Sequence, residues 1–584
     1  MENYINIKIN GKDYSVPSGI TILEAARMNG IYIPTLCYLK DINEIGACRI
    51  CVVEVKGARS LVAACVYPVD REGTEIFTNS PAVIAARKTT LELLLSNHNM
   101  ECLSCVRSTN CELQKLCLEY GVDQNNFAGA KTPSIIDDSA IHMVRDNSKC
   151  ILCRRCVAAC KNLQDVSVIG ANERGFKTYV GQPFEADLAD VSCVSCGQCI
   201  TVCPTGALYE KDETAKVYAA LNDPTKHVVV QTAPAVRVGL GEEFGMPIGT
   251  IVTGKMVTAL KMLGFDGVFD TNFSADLTIM EEATEFIDRF TKKENLPLIT
   301  SCSPGWIKYA EHYYPEFIPN LSSCKSPQGM FGSVAKTYYA EKMGIDPKDI
   351  FVVSIMPCTA KKFEASRHDH TAVEGLPDID VALTVRELAR MIKKSGIIFN
   401  ELADSEFDAP FGLGSGAGTI FGATGGVMEA ALRTAHQVLT GVELEGDAMN
   451  LTAVRGVEGV KEATFTIAGN EIRVAVASGL ANARKVLEMV KSGEKQYDFI
   501  EIMACPGGCV NGGGQPIQSA AVRNVIDIRV ARAQGLYKDD ENLPIRKSHQ
   551  NPDVKKLYED YLEWPGSHKA HEILHTAYTV RPKY

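Results

Sequence analysis

Two closely spaced runs of four cysteines constrain this chain more than any other feature of its sequence. The first run is Cys150, Cys153, Cys156 and Cys160, and the second is Cys193, Cys196, Cys199 and Cys203. Each run has the spacing C-x2-C-x2-C-x3-C, and a proline follows the second run. Eight thiols in this arrangement are far more typical of two metal clusters than of a chance pattern or of zinc sites.

This spacing is that of the bacterial two-cluster ferredoxins, in which the fourth cysteine of each run ligates the cluster of the other run. The repeat therefore predicts two 4Fe-4S centres with exchanged ligands. One centre would be held by Cys150, Cys153, Cys156 and Cys203, and the other by Cys193, Cys196, Cys199 and Cys160.

The cellular compartment follows from the N-terminus and the cysteine count. The chain has 21 cysteines in 584 residues, and its first residues, MENYINIKINGKDYS, lack the basic segment and apolar run of a secretory signal. We therefore expect a cytoplasmic protein, in which thiols stay reduced and bind metal. No apolar run reaches membrane-spanning length. The net charge of −11 argues against nucleic acid as the main partner.

Another group of cysteines, Cys37, Cys48, Cys51 and Cys65, follows a predicted β-hairpin and a short helix. The residues YINIKINGKDYSVPSG alternate as in paired strands, and TILEAARMNG is typical of a helix that begins after a turn. The spacing C-x10-C-x2-C-x13-C is similar to that of plant-type 2Fe-2S ferredoxins. A zinc site is the alternative, but zinc sites usually combine two close pairs of ligands, and this group has one.

A mixed group places one histidine before three cysteines: His98, Cys102, Cys105 and Cys111 lie at the end of a predicted helix. A lone histidine is usually an ordinary core or surface residue. Here it precedes three close thiols, so we expect it to be the fourth ligand of a 4Fe-4S cluster. An imidazole carries less negative charge than a thiolate and tends to raise the reduction potential. Cys117 fits no ligand position and is expected to be structural.

From about residue 213 the chain changes to apolar strands that alternate with amphipathic helices. HVVVQTAP, GVFDTNF, LPLITSC and DIFVVSIMPC are typical of short buried strands, and GKMVTALKMLG and MEEATEFIDRFTKKE of helices between strands. This alternation predicts an α/β domain with largely parallel sheets. Two of the strands run directly into a cysteine, Cys302 and Cys358, at the strand end where α/β folds place ligands.

Three motifs carry the remaining cysteines: TSCSPGW with Cys302, MPCTAKKFE with Cys358, and EIMACPGGCVNGGGQP with Cys505 and Cys509. In this order the motifs resemble the signature segments of the FeFe hydrogenases. Together with the cysteine groups upstream, the resemblance covers essentially the whole chain, in the domain order of the large clostridial type. Cys324 belongs to none of the motifs and is left without a role.

The resemblance implies a catalytic H-cluster, in which one cysteine bridges a 4Fe-4S cubane to a two-iron unit with CO, cyanide and azadithiolate ligands. Carried over by position, Cys358, Cys505 and Cys509 are cubane ligands, with Cys509 as the bridge. Lys361 is expected to donate a hydrogen bond to a cyanide ligand. The other residues expected around the cofactor are Pro234, Gln328, Met356, Pro357 and Met503.

One position departs from the family's pattern. The family usually has T-S-C-C-P, in which the first cysteine passes protons to the azadithiolate amine and the second ligates the cubane. This chain has Ser303 at the second position, and a serine oxygen suits iron–sulfur clusters poorly. Either Ser303 ligates the cubane, or Cys302 ligates it and gives up the relay, or the altered position impairs the cluster. We favour the unshifted register, in which Cys302 relays protons.

A proton route is expected to begin at Cys302. Glu282 and Glu285 lie three residues apart, and Arg289 lies four further on, so the three side chains share one face of a predicted helix. A solvated charged face is the alternative. The family's proton pathway uses carboxylates at these positions and a serine that matches Ser322. The resemblance therefore implies the series Cys302, Glu282, Ser322, Glu285 and Arg289.

The expected organisation is multidomain α/β, with smaller α+β accessory domains before the catalytic one. Residues 1–78 would form a β-grasp 2Fe-2S ferredoxin-like domain, and residues 79–125 a His-Cys 4Fe-4S domain. Residues 126–212 would form the two-cluster ferredoxin-like domain, and residues 213–584 the large α/β domain of the H-cluster.

The sequence thus indicates a hydrogenase that catalyses 2H⁺ + 2e⁻ ⇌ H₂. Ferredoxin or a similar low-potential carrier would exchange electrons with it through one 2Fe-2S and three accessory 4Fe-4S clusters, and maturation proteins would assemble the H-cluster. One alternative is an electron-transfer subunit of a complex I-like assembly, which the N-terminal cysteine groups also resemble but which has no use for the three motifs. The others are the hydrogenase subunit of an NAD-linked bifurcating complex and a hydrogen sensor.

Overall fold

The N-terminal segment folds into a sheet around the first group of cysteines. The structure is a computed structural model that describes residues 3–124 and 126–583. The sheet contains β1 (Tyr4–Ile9), β2 (Lys12–Pro17), β3 (Val52–Val55), β4 (Val62–Ala63) and β5 (Glu75–Phe77), in the order β2-β1-β5-β3-β4. β1 and β2 form the predicted hairpin. Helix α1 (Ile22–Met28) begins with a capping box between Thr21 and Glu24.

Two helices carry the mixed His-Cys group. Helix α2 (Pro81–Ser96) is capped by Ser80, whose side chain accepts from the amide of Val83. It ends two residues before His98, which therefore lies in the turn beyond the helix. Helix α3 (Glu112–Glu119) begins directly after Cys111. The predicted domain boundary at residue 125 falls on a position outside the described residues.

The two cysteine runs form a repeat in the backbone as well as in the sequence. Leu152 and Ser195 occupy the same position in each run and have φ of 53° and 59°. Arg154 and Gly197 occupy another shared position, with φ of 62° and 66°. The elements are β6 (Ile136–Asp137), β7 (Met143–Asp146), α4 (Arg155–Ala158), β8 (Gly170–Asn172), β9 (Tyr179–Gly181), α5 (Gln198–Thr201) and β10 (Leu208–Glu210). Each left-handed pair turns the chain between successive cysteines, which supports the predicted two-cluster repeat.

The remainder of the chain alternates strands with helices. Its strands are β11 (His227–Thr232), β12 (Gly267–Asp270), β13 (Leu298–Ile299), β14 (Ile350–Met356), β15 (Val381–Thr384), β16 (Val460–Ile467), β17 (Asn470–Ser478) and β18 (Phe499–Met503). Its helices are α6 (Thr214–Leu221), α7 (Thr253–Leu263), α8 (Thr271–Lys292), α9 (Pro304–Tyr313), α10 (Pro327–Val334), α11 (Ala340–Met343), α12 (Ala360–Ala365), α13 (Val385–Lys394), α14 (Gly416–Ile420), α15 (Gly426–Thr440), α16 (Leu480–Lys491), α17 (Ala520–Arg523), α18 (Ile528–Asn542), α19 (Pro552–Leu557) and α20 (His568–Leu574).

Two sheets organise this large domain. One is wholly parallel, with the order β12-β11-β14-β15. The other has the order β13-β18-β17-β16, with β16 as an antiparallel edge. The predicted strands at β11, β12, β13 and β14 are confirmed, as is the largely parallel α/β architecture. No helix in the described ranges is long and apolar enough to cross a membrane.

Candidate active site and electron-transfer chain

A buried cavity lies between the two sheets, beyond the carboxyl ends of their strands. β14 ends at Met356, two residues before Cys358, and β18 ends at Met503, two residues before Cys505. The short strand β13 leads into the loop that carries Cys302. The cavity is lined by Cys302, Cys358, Cys505 and Cys509, so all three sequence motifs meet at one place.

Every residue expected around the cofactor also lines this cavity. These residues are Pro234, Ser303, Gln328, Met356, Pro357, Lys361 and Met503. Cys196, from the second cysteine run, lines the cavity as well. The ligand set of an accessory cluster therefore borders the same space as the thiols of the catalytic motifs.

The thiols of the cavity are held in a low-dielectric setting. Burial, followed by the neighbouring Cys358, raises the pKa of Cys509 to about 12 and raises that of Cys505 as well. Metal ligation requires the thiolate form, so binding of iron here would release protons. One buried and two partly buried thiols that face the same cavity are a donor set that fits a thiolate-ligated iron–sulfur cluster.

The cavity is enclosed by glycines that leave no room for a side chain. A Cβ on Gly512 would lie 2.0 Å from the carbonyl oxygen of Pro357, and one on Gly514 would lie 2.8 Å from the amide nitrogen of Cys358. The GGG segment after Cys509 therefore packs directly on the backbone of the MPC motif. This close approach fits a wall built around a bulky group.

Lys361 is fixed at the rim of the cavity by three acceptors. Its Nζ donates to Ser326 Oγ and Glu364 Oε2, each at 2.7 Å, and to the carbonyl oxygen of Cys302 at 3.3 Å. Gln328 donates to the same carboxylate, and its own Oε1 is buried without a partner among the described residues. Sequence reasoning found Lys361 but missed Ser326 and Glu364, which have no distinctive local pattern.

Cys302 and Ser303 both face the cavity but make different contacts. Ser303 is the N-cap residue of α9, and its hydroxyl accepts from the amide of Ala504 at 3.2 Å. This bond joins the TSCS loop to the residue just before Cys505. Burial, followed by the charge of Glu282, raises the pKa of Cys302 well above its usual value. Cys302 therefore keeps its proton in the absence of a metal.

The residues of the expected proton series lie along α8 and the loop after residue 320. Ser322 Oγ donates to Glu285 Oε2 at 2.9 Å, and Arg289 donates to the other oxygen of Glu285 at 2.6 Å. Burial, followed by the charge of Glu285, raises the pKa of Glu282 to about 8, and the hydroxyl of Ser322 acts in the opposite direction. The structure brings together all five predicted residues.

The cysteine groups upstream also converge. In the N-terminal domain Cys51 and Cys65 have their Sγ atoms 3.3 Å apart, and the amide of Cys48 lies 3.5 Å from the Sγ of Cys37. A second buried cavity is lined by Cys150, Cys153, Cys156 and Cys203. Burial, followed by the nearby Cys193, raises the pKa values of Cys160 and Cys199. The exchange of fourth cysteines between the two runs stays a prediction, and the lining of this second cavity agrees with it.

His98 has the properties of a neutral ligand. Its Nδ1 is buried and has no hydrogen-bond partner within the described ranges. Burial, followed by the charge of Lys149, lowers the pKa of His98 to about 4. A histidine that stays uncharged at neutral pH has a lone pair available for a metal.

Comparisons with known proteins cover the whole chain. Residues 226–513 match the family described as iron only hydrogenase large subunit, C-terminal domain, and residues 526–581 match the iron hydrogenase small subunit. Residues 2–81 match a 2Fe-2S iron-sulfur cluster binding domain. Residues 87–126 match the iron-sulfur binding region of NADH-ubiquinone oxidoreductase-G, and residues 149–207 match a 4Fe-4S dicluster domain.

Two curated relatives match almost from end to end. The NADP-reducing hydrogenase subunit HndD of Solidesulfovibrio fructosivorans is 48% identical, with 99% of each chain covered. Iron hydrogenase 1 of Clostridium pasteurianum is 47% identical, with 98% of this chain and 99% of the other covered. The chain belongs to the FeFe hydrogenases.

A solved structure agrees with this family. The apo FeFe hydrogenase HydA1 of Chlamydomonas reinhardtii is 44% identical, with a TM-score of 0.56, and the match covers 64% of this chain and all of that one. The protein is thus an FeFe hydrogenase, an oxidoreductase of protons and H₂ with accessory iron–sulfur domains. The prediction of a hydrogenase is confirmed and is favoured over that of a pure electron-transfer subunit.

Hydrogen bonds between domains connect the cluster sites of this hydrogenase. Asn43 Nδ2 donates to the carbonyl oxygens of Cys37 at 2.8 Å and Cys153 at 3.1 Å, so one side chain joins two groups of ligands. The amide of Glu112 donates to Pro204 at 3.0 Å, beside Cys203. These contacts join segments far apart in the sequence, and no local pattern indicates them.

A buried histidine was also missed at the second cysteine run. His142 Nε2 lies 3.8 Å from the Sγ of Cys193, and burial lowers the pKa of His142 to about 3. A neutral imidazole N–H directed at a thiolate would stabilise its negative charge. His142 precedes the first cysteine run in the sequence and lies 51 residues from Cys193, so no local signal indicates this contact.

Proposed function

We propose that the cavity of this hydrogenase holds an H-cluster whose cubane is ligated by Cys358, Cys505 and Cys509, with Cys509 as the bridge to the two-iron unit. The observation that carries this proposal is the convergence of the three motifs on one buried cavity. When bound, the H-cluster supplies redox-active iron, an open coordination site and a basic amine for 2H⁺ + 2e⁻ ⇌ H₂. The protein side chains hold this group, exclude water from it and deliver protons and electrons.

Ser303 is proposed to stand at the fourth ligand position, which leaves Cys302 as the proton relay. The hydrogen bond from Ala504 to Ser303 supports this register because it anchors the serine oxygen beside the ligand Cys505. The raised pKa of Cys302 also supports it, since a relay must carry a proton in order to donate one. Lys361 would donate a hydrogen bond to the cyanide side of the group, with Pro234, Gln328, Met356, Pro357 and Met503 packed around it.

Protons are proposed to travel between solvent and Cys302 through Arg289, Glu285, Ser322 and Glu282. The hydrogen bonds on either side of Glu285 support this order. A pKa of about 8 for Glu282 leaves both its protonated and ionised forms populated near neutral pH. A group that accepts and releases protons in turnover needs such a value.

Electrons are proposed to pass through one 2Fe-2S and three 4Fe-4S clusters, in domains bounded near residues 78, 125 and 212. The ligands would be Cys37, Cys48, Cys51 and Cys65; His98, Cys102, Cys105 and Cys111; and the two exchanged sets from the cysteine repeat. A ferredoxin-like carrier would exchange electrons with this chain in the cytoplasm. Maturation proteins would supply the H-cluster.

Infrared spectroscopy of anaerobically matured protein tests the proposal. We expect CO and cyanide stretching bands, together with H₂ evolution from a reduced low-potential dye. Cys358→Ala should lose the bands while the accessory clusters keep their electron paramagnetic resonance signals, because it removes one cubane ligand. Matured wild-type protein with all accessory clusters and no diatomic bands would refute the proposal.

The match to HndD favours a second candidate, in which this chain is the hydrogenase subunit of a complex that uses a nicotinamide cofactor. That relative is described as a subunit of an NADP-reducing hydrogenase, and it aligns with this chain from end to end. Purification from the native source distinguishes the two candidates. Copurifying subunits and H₂-dependent reduction of NADP would favour the complex, whereas a lone chain that reduces ferredoxin would favour the first candidate.

A further inference from the structure

Glu285 has a hydrogen-bonded neighbour outside the expected proton series. Ser323 donates its backbone amide to both carboxylate oxygens of Glu285, at 3.2 and 3.3 Å, and its hydroxyl to Oε1 at 3.2 Å. The same hydroxyl lies 2.8 Å from Nδ1 of His575. A continuous hydrogen-bonded path therefore branches from Glu285 through Ser323 to His575.

The ring of His575 is held from both sides. Its Nε2 lies 3.1 Å from Glu281 Oε2. Glu281 is buried and also accepts from the Tyr558 hydroxyl and, at 2.9 Å, from the amide of Gly566. If Nε2 donates to Glu281, Nδ1 is the nitrogen left to share a hydrogen bond with Ser323.

The arrangement at Ser323 supports two proton positions. If its hydroxyl donates to Glu285, its oxygen accepts from a protonated Nδ1 of His575. If its hydroxyl donates to Nδ1, the carboxyl of Glu285 carries the proton. The two arrangements differ by one proton moved across Ser323, and no heavy atom has to change position.

The other exit from Glu285 ends on a group that does not titrate. Arg289 bonds to Glu285 and to the carbonyl oxygen of Leu321, and a guanidinium does not release its proton near neutral pH. A histidine ordinarily titrates in that range. Among the described side chains, His575 is the imidazole that lies one hydroxyl, that of Ser323, away from Glu285.

Helix α20 leads from His575 to the surface. His571, one turn earlier on this helix, is exposed and stacks on His575 with ring centroids 3.9 Å apart. The side chain of His575 is itself 7% exposed. The ionisable groups near the stacked pair include Glu281, which contacts Nε2 of His575, and Glu285 and His568, which act on the pKa of His571 after burial and His575 itself. The ring of His571 is thus the one group between solvent on this side and the buried hydrogen-bonded path that ends at His575.

We propose that His575 is a proton relay residue that exchanges protons between Glu285 and solvent through Ser323, in parallel with the exit at Arg289. His575 does not touch the cofactor, and it acts on the reaction only by supplying or removing protons at Glu285. The proposal rests on the proton series of the proposed function, in which Glu285 is the branch point.

Three variants of the matured enzyme test the branch at low buffer concentration. His575→Phe retains an aromatic ring that can stack on His571, and His575→Gln retains polar atoms that do not titrate. Ser323→Ala removes the hydroxyl that connects Glu285 to His575 but leaves the imidazole in place. Each should lower H₂ turnover about tenfold, since a positioned proton-transfer group ordinarily contributes at least that much. Each should also change the pH profile, and Ser323→Ala combined with His575→Gln should be no slower than either alone.

Chemical rescue distinguishes a proton-relay role of His575 from a purely structural role. In His575→Ala, added imidazole should restore turnover, because it replaces the missing base, while added imidazole should not change the wild type. His568→Gln is the matched control on the same helix, and its rate should stay at the wild-type value. The infrared bands of every variant should match the wild type, which excludes loss of the cofactor.

A magnetic resonance measurement that needs no turnover tests the coupling between Glu285 and His575. In ¹⁵N-histidine-labelled protein lacking the active-site cofactor, the Nδ1 resonance of His575 should move in Glu285→Gln and stay in place in His568→Gln. Wild-type rates and pH profiles in all three path variants, slow variants that imidazole does not rescue, or an unmoved resonance would each overturn the role of His575. If Glu285→Gln itself left turnover unchanged, the failure would lie in the proposed proton series instead.

Discussion

Cys302 and Ser303 are neighbours on the TSCS loop, and they are proposed to act as the proton relay and to stand at the fourth ligand position. A single substitution can test which role Cys302 has. If Cys302 is the relay, Cys302→Ala should leave the infrared bands intact and lower turnover about 100-fold or more, since the cofactor loses its nearest proton donor. If Cys302 is instead the fourth ligand, the same change should deplete the cubane, because it deletes a bond to iron. Iron content and infrared spectra of the purified variant distinguish these outcomes.

Ser303→Cys provides the complementary test. Ser303 Oγ already lies beside Ala504 and the ligand loop, so a thiolate there would replace a hard oxygen with a soft ligand. We expect cofactor occupancy after maturation to rise toward one per chain, measured as infrared band intensity per protein. Unchanged occupancy would indicate that Ser303 is remote from the fourth iron and that Cys302 has taken the ligand position.

As the proposed fourth ligand, His98 would set the charge of its cluster. His98→Cys should leave a cluster in place with a reduction potential lower by roughly 100 mV, because a thiolate adds negative charge where a neutral imidazole stood. A potentiometric titration followed by electron paramagnetic resonance measures the shift. Loss of the cluster, or an unaltered potential, would count against His98 as a ligand.

The raised pKa of Glu282 makes stability depend on pH. An ordinary glutamate is ionised above about pH 4.5, whereas buried Glu282 keeps its proton up to about pH 8, so the folded state binds more protons in this window. Folding stability therefore falls as pH rises from about 4.5 to 8, by at most about 5 kcal/mol at 1.36 kcal/mol per pKa unit. The folding stability of Glu282→Gln should not show this decrease with pH, because the glutamine amide does not ionise.

Thermal unfolding across this pH range checks the expectation. The stability of Glu282→Gln relative to wild type should increase with pH, whereas Glu445→Gln, at an exposed site, should parallel the wild type. Glu282→Gln should also lower turnover about 100-fold or more, because an amide does not exchange protons. Parallel melting curves at every pH would show that Glu282 is ionised at an ordinary pH.

At the scale of elements, the GGG segment couples the catalytic domain to the accessory clusters. A Cβ on Gly513 would lie 2.3 Å from the carbonyl oxygen of Cys196 and 2.7 Å from the Cα of Gly197. Gly513→Ala should therefore push these backbones apart and destabilise the protein by about 1–3 kcal/mol. Turnover with electrons from ferredoxin should fall, while the infrared bands persist.

Gly170→Ala is the matched control, since a Cβ at Gly170 has nothing within 4 Å. Ferredoxin-dependent H₂ evolution of both variants, with infrared bands recorded on the same samples, checks the expectation. Equal rates in the two variants would show that the contact between Gly513 and Cys196 does not limit electron transfer.

The sequence predicted some elements better than others, for physical reasons. β14 is apolar except for the small Ser354, so its identity as a buried strand could be predicted. β18 could not, because Glu501 interrupts its apolar residues. This carboxylate is nevertheless buried, since it accepts from the amides of Gly425 and Met428 around the start of α15. A partner that lies more than 70 residues away leaves no local signal.

At the scale of the molecule, ligand groups were predictable but the contacts between them were not. Spacing alone brings the first three thiols of each cysteine run together, because the short connections leave few other arrangements. The junction between domains depends instead on distant pairs such as Arg155 and Glu112, whose bidentate bonds measure 2.9 and 3.0 Å. Such pairs form only once the domains have docked, so cluster spacing and order require the folded structure.

The cofactor inventory yields a prediction for the whole chain. One 2Fe-2S cluster, three 4Fe-4S clusters and a six-iron H-cluster correspond to about 20 iron atoms per chain, whereas the accessory clusters alone correspond to about 14. Protein produced without maturation proteins should lack CO and cyanide bands and contain fewer irons, yet its accessory clusters should still be reducible because their proposed ligands are different residues from Cys358, Cys505 and Cys509. Iron analysis, sulfide analysis and infrared spectra of matured and unmatured protein test this together. Matured, active protein with about 14 irons would contradict the assignment of four accessory clusters, since the H-cluster itself would then account for six of them.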